Sequence, residues 1–539
     1  MDISSEWVIL HRIALLTRIE PLWFHCCPNS CIAYTLQHSN LSHFPYPDCR
    51  EARYTPAGTP RRLFCYLPLI PRLQGLFSNP KTVEELLYRH RYQSRHDEVS
   101  DNLRKKKVTV DGRELAHCYF SGKYDIALGV CMDSYLLVDR RRKGPSATPI
   151  LLQNYNIRPA VRTHLSREIC VGDSHSFLFP FEDECVLLAA GIPTYDCVSA
   201  AVFDLHAYTI FGMGDILAVE KLLNTKGHNG IRNISGGDTI YYIPLTHPDL
   251  PGEPRRSWNP TNLPLRHHDD FIDITNRLQT LKLVKDRKQL TFHEGINGLP
   301  APQRVGSMDF ARSSPWDIMH LFFENIVPNL VKLWSGKFKH LDVGSEDYEI
   351  DSDVWDEIWA ETVDAVEHIP AQFAWCFWFV YLVPILLKGR FKHSKYHDHL
   401  CELTYIIKTC IAFTITHAEI ADLRRRIIAW MRTYECYYYQ YQEDRLSTCT
   451  LTVHGLIHDG QPGLSSWNWY CGFLKGALRS KQLPWANMNN TILHGAYLEQ
   501  LSAQFDVEKE LASPLYRVNG LPSTEQRFDL CSSDPQMVL

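Results

Sequence analysis

Two patterns along this chain predict a mixed α/β fold. Between about residues 121 and 250, short apolar runs alternate with turn residues and helical stretches, which is typical of strands and helices that share one core. From 315 to about 510, apolar side chains recur at helical spacing, as in the run that starts at Trp316. We therefore expect an α/β core that is continued by a large helical region.

Three of the apolar runs are predicted strands, at residues 126–132, 149–155 and 207–213. The most apolar window of the chain, at 373–387, is a different case. It is about 15 residues long, whereas a membrane span needs roughly 20, and Pro384 lies inside it. We expect a buried core helix there and no membrane association.

Changes in composition divide the chain into six predicted segments. The first is rich in cysteine and proline, the second is helical and basic, and the fourth carries several prolines that suggest an inserted linker. The segments are a Cys-rich module at 1–75, a helical basic linker region at 76–120, the first part of the core at 121–250, the inserted linker at 251–314, a helical region that completes the core at 315–510, and a polar tail at 511–539.

Composition limits how the chain could bind nucleic acid. Of its 539 residues, 45% are hydrophobic and 22% charged, and the net charge is −5, so the protein is not a polycation. DNA binding would have to rest on local basic patches, for which solvated loops are the alternative interpretation. The two candidate patches consist of Arg104, Lys105, Lys106 and Lys107, and of Arg140, Arg141, Arg142 and Lys143.

The cysteines suggest a reducing setting. There are 17 of them, an odd number, and the first residues lack the basic start of a secretory leader. We expect an intracellular protein whose thiols are free or bound to metal, not paired in disulfides.

Two acidic residues follow predicted strands. Asp133 ends the first apolar run, and Asp215 follows the third, after Gly214. Carboxylates at the ends of neighbouring strands can share two divalent cations that promote phosphodiester transfer. The alternative is that each aspartate is a helix cap or a turn residue.

Nine short blocks, in order along the chain, resemble those of the CACTA-type (En/Spm-like) DNA transposases, especially the fungal branch. The resemblance rests on their collinearity, because no single block is decisive. The blocks are Cys27-Pro-Asn-Ser-Cys31, Phe64-Cys-Tyr-Leu-Pro-Leu-Ile-Pro71-Arg-Leu-Gln74, Leu152-Gln-Asn-Tyr155-Asn156, Phe211-Gly-Met-Gly-Asp215, Lys226-Gly-His-Asn-Gly230, Asn262-Leu-Pro-Leu-Arg266-His267-His268-Asp269, Pro315-Trp-Asp317-Ile-Met-His320, Gly344-Ser-Glu-Asp-Tyr348 and Asp444-Arg445-Leu446-Ser447.

The resemblance implies a ribonuclease H-like mixed-sheet core in a nuclear protein that cuts and joins transposon ends. An acidic triad would hold Mg²⁺ or Mn²⁺, the partner would be DNA, and a homo-oligomer is compatible with this role. Asp133 falls where the family has its first aspartate, and Asp215 falls where it has the second.

Departures from the family pattern predict impaired catalysis. The third family acid follows a Trp-rich strand, but here the run from Trp467 to Lys475 continues to Arg479 without a glutamate. Asp317 and Glu324 are the alternative third acids, although Asp317 also suits a helix cap. We therefore expect a transposase-derived protein with weakened activity. The alternative is a non-catalytic DNA- or protein-binding remnant.

The first cysteines resemble the short zinc module of the same family. Cys27, Cys31 and Cys49 are three candidate ligands, and His43 lies next to the place of the missing fourth. Together they could complete a tetrahedral Zn²⁺ site, with Cys26 as a competing ligand. The alternative is a damaged module with buried free thiols.

Overall fold

The computed structural model describes residues 6–507 with gaps. The gaps are residues 30, 44–48, 93–101, 133–134, 137–145, 148, 159–167, 171–174, 227–242, 250–255, 264–265, 340, 342–345, 367–373, 413–414, 458–483 and 506. The polar tail predicted at 511–539 lies outside the described residues.

The amino-terminal part combines short helices with two antiparallel strand pairs. Its first segment holds α1 (Glu6–Thr17) and the pair β1 (Leu22–His25) and β2 (Leu63–Tyr66). The region expected to be helical and basic begins with helices but ends in a strand pair. Helix α2 (Leu69–Gly75) precedes this region, whose elements are α3 (Pro80–Leu86), α4 (Tyr88–Arg91), β3 (Lys107–Val110) and β4 (Arg113–Cys118).

A four-stranded mixed sheet lies at the centre of the α/β part. Its strands are β5 (Ile126–Met132), β8 (Ile150–Asn154), β9 (Glu168–Cys170) and β12 (Ala207–Gly214), in the order β12-β5-β8-β9. Strand β12 runs parallel to β5, whereas β8 is antiparallel to both of its neighbours. All seven residues of β5 are buried, as expected for a strand covered on both faces. The three predicted strands are confirmed.

The remaining elements of this part connect the sheet strands. A two-stranded pair precedes β8, and a helix followed by a second pair leads into β12. These elements are β6 (Tyr135–Leu136), β7 (Ser146–Ala147), α5 (Phe179–Ala190), β10 (Ile192–Asp196), β11 (Ala201–Leu205) and, after β12, α6 (Ile216–Leu223). Side chains of β5 and β8, such as Val130 and Leu152, form a core with Leu73 of α2 and Phe181 of α5.

The region that we expected to be a linker, 251–314, contains two helices, α7 (His268–Thr280) and α8 (Val284–Glu294). Phe271, Ile274 and Leu278 recur at helical spacing in α7 and are buried. They pack with Val219 and Leu223 of α6. The prolines of this region lie before α7 or after α8, so they do not interrupt the helices.

Helices dominate the rest of the chain, as expected, and three of them contain π-helical turns. The elements are a π-helical segment (Met319–Ile326) that continues into α9 (Val327–Trp334), α10 (Ser352–Val366), α11 (Ala374–Phe377), a π-helical segment (Trp378–Leu382), α12 (Val383–Leu386), α13 (Ser394–Cys410), α14 (His417–Tyr434), a π-helical segment (Glu435–Tyr439), α15 (Leu451–Gly455) and α16 (Pro484–Phe505).

The most apolar window contributes to the core of this helical region. Trp378, Phe379, Val380 and Val383 from it are buried with Trp334 and other large side chains, so the prediction of a core helix is confirmed for the described part of the window. No helix among the described residues is both long and apolar enough to cross a bilayer.

The last helix returns to the amino-terminal part of the chain. Ala496 and Tyr497 of α16 pack against Ile19 and Leu67. The guanidinium of Arg72 in α2 lies 2.9 Å from the carboxylate of Glu499.

Candidate functional site

Three chain segments meet at one edge of the mixed sheet. The parallel strands β5 and β12 both reach this edge with their carboxyl ends, where Met132 pairs with Gly214. Gly214 also forms a parallel bridge with Trp316. The amide of Asp317 donates a hydrogen bond of 3.0 Å to the carbonyl oxygen of Gly214. Asp215 and Asp317 are therefore neighbours at this edge, which we call the acidic edge.

Gly214 allows β5 and the first turn of α6 to pack closely at the acidic edge. A β-carbon at this position would lie 2.4 Å from the carbonyl oxygen of Met132 and 2.6 Å from the β-carbon of Ala218. Both distances are shorter than van der Waals contact, so a side chain here would push the neighbouring segments apart.

Asp215 joins β12 to α6. Its Oδ1 accepts a hydrogen bond of 2.6 Å from the amide of Ala218, which caps the helix. The helix-cap interpretation therefore holds for one oxygen of this half-buried carboxylate. A carboxylate has further lone pairs, so capping and metal binding are compatible roles.

Asp317 is buried, with 1% of its surface exposed. Its Oδ2 lies 2.6 Å from Nδ1 of His320 and accepts a bond of 3.3 Å from the His320 amide. A buried carboxylate needs such partners to offset its loss of hydration. On the other side of the ring, Nε2 of His320 lies 3.8 Å from the carboxylate of Glu324.

The π-helical segment that begins at Met319 supports this arrangement. Asn325 donates a hydrogen bond of 2.6 Å to the carbonyl oxygen of His320. Sequence reasoning did not identify His320 as a partner of Asp317, although the two are three residues apart, a spacing at which helical side chains meet. Of the two alternative third acids, Asp317 lies at the acidic edge, whereas Glu324 lies beside His320, on the side of the ring away from Asp317.

Several predicted site residues cannot be placed at this edge. Asp133 and the basic patch of Arg140, Arg141, Arg142 and Lys143 lie outside the described residues. The other patch precedes and begins β3. Arg104, Lys105, Lys106 and Lys107 are all exposed there, and Lys107 lies 3.6 Å from Glu114.

Three of the four proposed metal ligands form a thiol cluster. The sulfur atoms of Cys27, Cys31 and Cys49 all lie within 4.8 Å of one another, and those of Cys27 and Cys49 are 3.5 Å apart. Tetrahedral Zn²⁺ with Zn–S bonds near 2.3 Å requires sulfur separations of about 3.8 Å. The thiol cluster could therefore hold a metal ion such as zinc.

His43 and Cys26 do not belong to the thiol cluster. The backbone of His43 pairs with Ala52, and its exposed ring lies 3.0 Å from the Ser42 hydroxyl. Cys26 packs against Ala33 and Phe177. The cluster thus supplies three protein ligands within the described part of the chain, and a fourth position would be open to water or to another ligand.

Local contacts shift the pKa values of Cys31 and Cys49 in opposite directions. Burial, hydrogen bonding to Cys49 and the charge of Cys27 together raise the pKa of Cys31 to about 12. At Cys49 burial acts in the same direction, but hydrogen bonds from the Glu51 amide, Asn29 and the other two thiols outweigh it and lower the pKa. The Asn29 amide lies 3.4 Å from the Cys49 sulfur. Cys49 is therefore the thiol best prepared to bind metal as a thiolate.

Arg53 contacts several of the loops that surround the thiol cluster. Its guanidinium lies between the rings of Tyr34 and Tyr54, 4.6 and 5.1 Å from their centroids. It also donates hydrogen bonds to His25 Nδ1 and to the carbonyl oxygens of Ser39 and Leu41. Sequence reasoning missed this residue because its partners are scattered along the chain. Every cysteine whose side chain is described is free of disulfides, as expected.

Together these features define a mixed α/β protein with an acidic edge on its central sheet and a separate thiol cluster. No protein-family model matches the chain, and no curated protein matches it. The resemblance to CACTA transposases therefore stays a prediction from the sequence blocks.

Proposed function

We propose that this chain is a transposase-derived protein of the CACTA type with a ribonuclease H-like core. In this proposal its acidic edge cleaves and joins DNA strands at transposon ends. The observation that carries the proposal is the hydrogen bond between the Asp317 amide and the Gly214 carbonyl oxygen. Asp317, the proposed third acid, thus lies beside the end of β12, which runs parallel to β5, and the family resemblance implies that the acids meet there.

Asp133, Asp215 and Asp317 form the proposed triad. Asp133 directly follows Met132, the last residue of β5, and Met132 is paired with Gly214. Asp317 takes the place of the glutamate that the family carries later in its sequence. Because this acid comes from a different segment, we expect slower turnover than in an intact transposase.

The donor atoms at the acidic edge suit Mg²⁺ or Mn²⁺, since both cations prefer carboxylate oxygens. Asp215 and Asp317 each hold one oxygen in place through a hydrogen bond. When bound there, divalent cations supply the charge that activates a water molecule or a 3′-hydroxyl and stabilises the leaving oxygen. The described residues alone supply too few ligands, so the proposal depends on Asp133 as well.

The chain's own residues orient these acids. His320 fixes the carboxylate of Asp317, and the first turn of α6 fixes that of Asp215. Gly214 lets β5 and the first turn of α6 pack closely at this edge. The side chains are thus held by packing and hydrogen bonds before any substrate binds.

Metal-dependent nicking of a supercoiled plasmid tests the proposal. We expect nicking with Mg²⁺ or Mn²⁺ that is lost in Asp133→Asn, Asp215→Asn and Asp317→Asn. Removing the partner of a metal ligand costs about 10–100-fold in activity, so the loss of a ligand should cost at least about a hundredfold. Asp273→Asn is the matched control, because Asp273 is 70% exposed on α7. Nicking that survives all three substitutions would exclude the triad.

A non-catalytic DNA-binding remnant is the second candidate. It is favoured because both described acids already have structural roles: Asp215 caps α6, and Asp317 is buried against His320. A remnant would bind DNA without cutting it. Binding of a duplex by the wild-type protein, combined with no nicking in either metal, would favour the remnant over the enzyme.

A further inference from the structure

Helix α8 (Val284–Glu294) has no buried residue along its length. Its Leu290 packs against the buried cluster that contains Phe271 and Ile296. Large apolar side chains on it face solvent, with Val284 67% and Phe292 49% exposed. Because these side chains stay largely exposed after folding, this helix face is available to a partner.

The charge of this face is positive. Lys282, Lys285 and Lys288 are exposed, and none of them forms an ion pair with a described side chain. Helical spacing places Val284, Lys285, Lys288 and Phe292 on one side of the helix. The carboxylates of α8 are less exposed, and Glu294 lies 3.7 Å from Arg277.

Lys226 extends this positive face. Its ammonium lies 4.9 Å from the centroid of the Phe292 ring, and its amide donates a bond of 2.8 Å to the carbonyl oxygen of Gly295. We call the combined area the α8 surface. It consists of Lys226, Lys282, Val284, Lys285, Lys288 and Phe292.

The α8 surface lies near the acidic edge. The cluster against which Leu290 packs contains Val219 and Leu223 of α6, and Trp316, the residue before Asp317, packs against the same cluster. Helix α6 starts at the capping residue Asp215, and its eight residues span about 12 Å. One turn of B-form DNA is about 34 Å long, so a duplex with a phosphate at the acidic edge would pass α8 within one turn.

We propose that the α8 surface binds the phosphate backbone of double-stranded DNA. The choice of DNA rests on the proposed function, whereas the positive charge and exposure rest on α8 itself. Lysine ammonium groups neutralise phosphates and release condensed counterions. The apolar side chains between them contact the sugar edges. Because the whole chain carries a net charge of −5, such a local patch is where a polyanion would bind.

Fluorescence anisotropy with a labelled duplex of random sequence, measured over a range of salt concentrations, tests this proposal. The variant carries Lys282→Ala, Lys285→Ala and Lys288→Ala. The matched control carries Lys332→Ala, Lys337→Ala and Lys388→Ala, which removes the same charge from three other exposed lysines. We expect about tenfold weaker binding or more for the variant, and a salt slope lower by about 2 to 3. The control should bind like the wild type.

Each other outcome has a distinct meaning. Equal weakening by both triple substitutions would show that total charge matters, not α8, and would overturn the proposal. Normal binding by the α8 variant would overturn it while leaving the proposed function intact. A wild type that binds no duplex would count against both. If polyglutamate competes as well as DNA at equal charge, the site recognises acidic chains in general and the DNA assignment fails.

A chemical footprint gives a readout that does not depend on substitution. Acetylation of lysines followed by mass spectrometry should find Lys226, Lys282, Lys285 and Lys288 protected when the duplex is present. Lys332 should react equally with and without DNA. Equal reactivity of the α8 lysines in both states would overturn the proposal.

Discussion

The imidazole of His399 stacks on the indole of Trp430, with ring centroids 4.7 Å apart and planes 5° from parallel. His399 Nε2 lies 3.1 Å from the Trp430 carbonyl oxygen, and the Trp430 indole donates back to the carbonyl oxygen of His399. The ring is buried, and its Nδ1 has no hydrogen-bond partner among the described residues. This pair therefore packs as a neutral unit within the helical core.

Acid should destabilise the helical region through His399. Burial lowers the pKa of this histidine to about 4, so the unfolded state binds the proton more readily. The contribution of the buried neutral ring to the free energy of unfolding is fully present above the unfolded pKa of about 6.5. It is lost as the pH falls toward 4, by up to about 1.4 kcal/mol per pH unit. Urea unfolding at pH 7 and pH 5 measures the loss. His399→Gln should reduce the difference between the two pH values, and exposed His393→Gln should not. Identical pH dependence in wild type and His399→Gln would refute the assignment.

Asn156, two residues after β8, should be among the polar residues whose substitution destabilises the protein most. Its Oδ1 accepts bonds from the Ala127 amide and from Arg89, and its Nδ2 donates to the carbonyl oxygens of Leu86 and Asp125. Asn156→Ala leaves buried groups unpaired, at about 1–3 kcal/mol each. We expect a loss of at least about 3 kcal/mol in the free energy of unfolding. Asn259→Ala, in an exposed turn, is the control. A loss for Asn156→Ala no greater than that of the control would contradict this account.

Gly214→Ala should disturb the acidic edge. The added methyl group meets Met132 and Ala218 at 2.4 and 2.6 Å, and overpacking of this kind costs about 1–3 kcal/mol. Thermal unfolding and plasmid nicking should both decline. Gly495→Ala is the opposite case, since nothing lies within 4 Å of its β-carbon position in α16. It should stabilise the protein by up to about 1 kcal/mol. Tolerance of Gly214→Ala in both assays would disprove the close approach.

The thiol cluster should bind about one zinc ion per chain. Metal analysis of the reduced protein measures the content, and cobalt substitution should give thiolate-to-metal absorption. Cys31→Ser should weaken binding, because it removes one of the three sulfurs within 4.8 Å. Cys436→Ser changes an exposed thiol outside the cluster and should have no effect. Reduced protein that takes up no zinc would leave the thiols as a packing feature.

Local patterns were informative where neighbours in the sequence decide the structure. The strands β5, β8 and β12 are short apolar runs, and the sequence alone predicted them. Helix α7 was not predicted, because the prolines before it indicated a linker. The helical spacing of Phe271, Ile274 and Leu278 was nevertheless visible in the sequence. The burial of α7 depends on α6, which lies in a different part of the chain.

The acidic edge could not be predicted from the sequence, because it depends on contacts between distant segments. Nothing in the spacing of Asp215 and Asp317 indicates that their segments adjoin, because the bridge between Gly214 and Trp316 joins distant parts of the chain. At the thiol cluster, sequence spacing identified the three cysteines. It also suggested His43, whose backbone pairing with Ala52 positions it elsewhere.

The return of α16 to the amino-terminal helices has a consequence for synthesis of the protein. Arg72 of α2 and Glu499 of α16 form an ion pair, although they are 427 residues apart in the chain. The surface formed by α1 and α2 therefore stays uncovered until translation has passed α16. A nascent chain would present Leu67 and its neighbours to chaperones for most of that time, and loss of α16 would leave that surface permanently open.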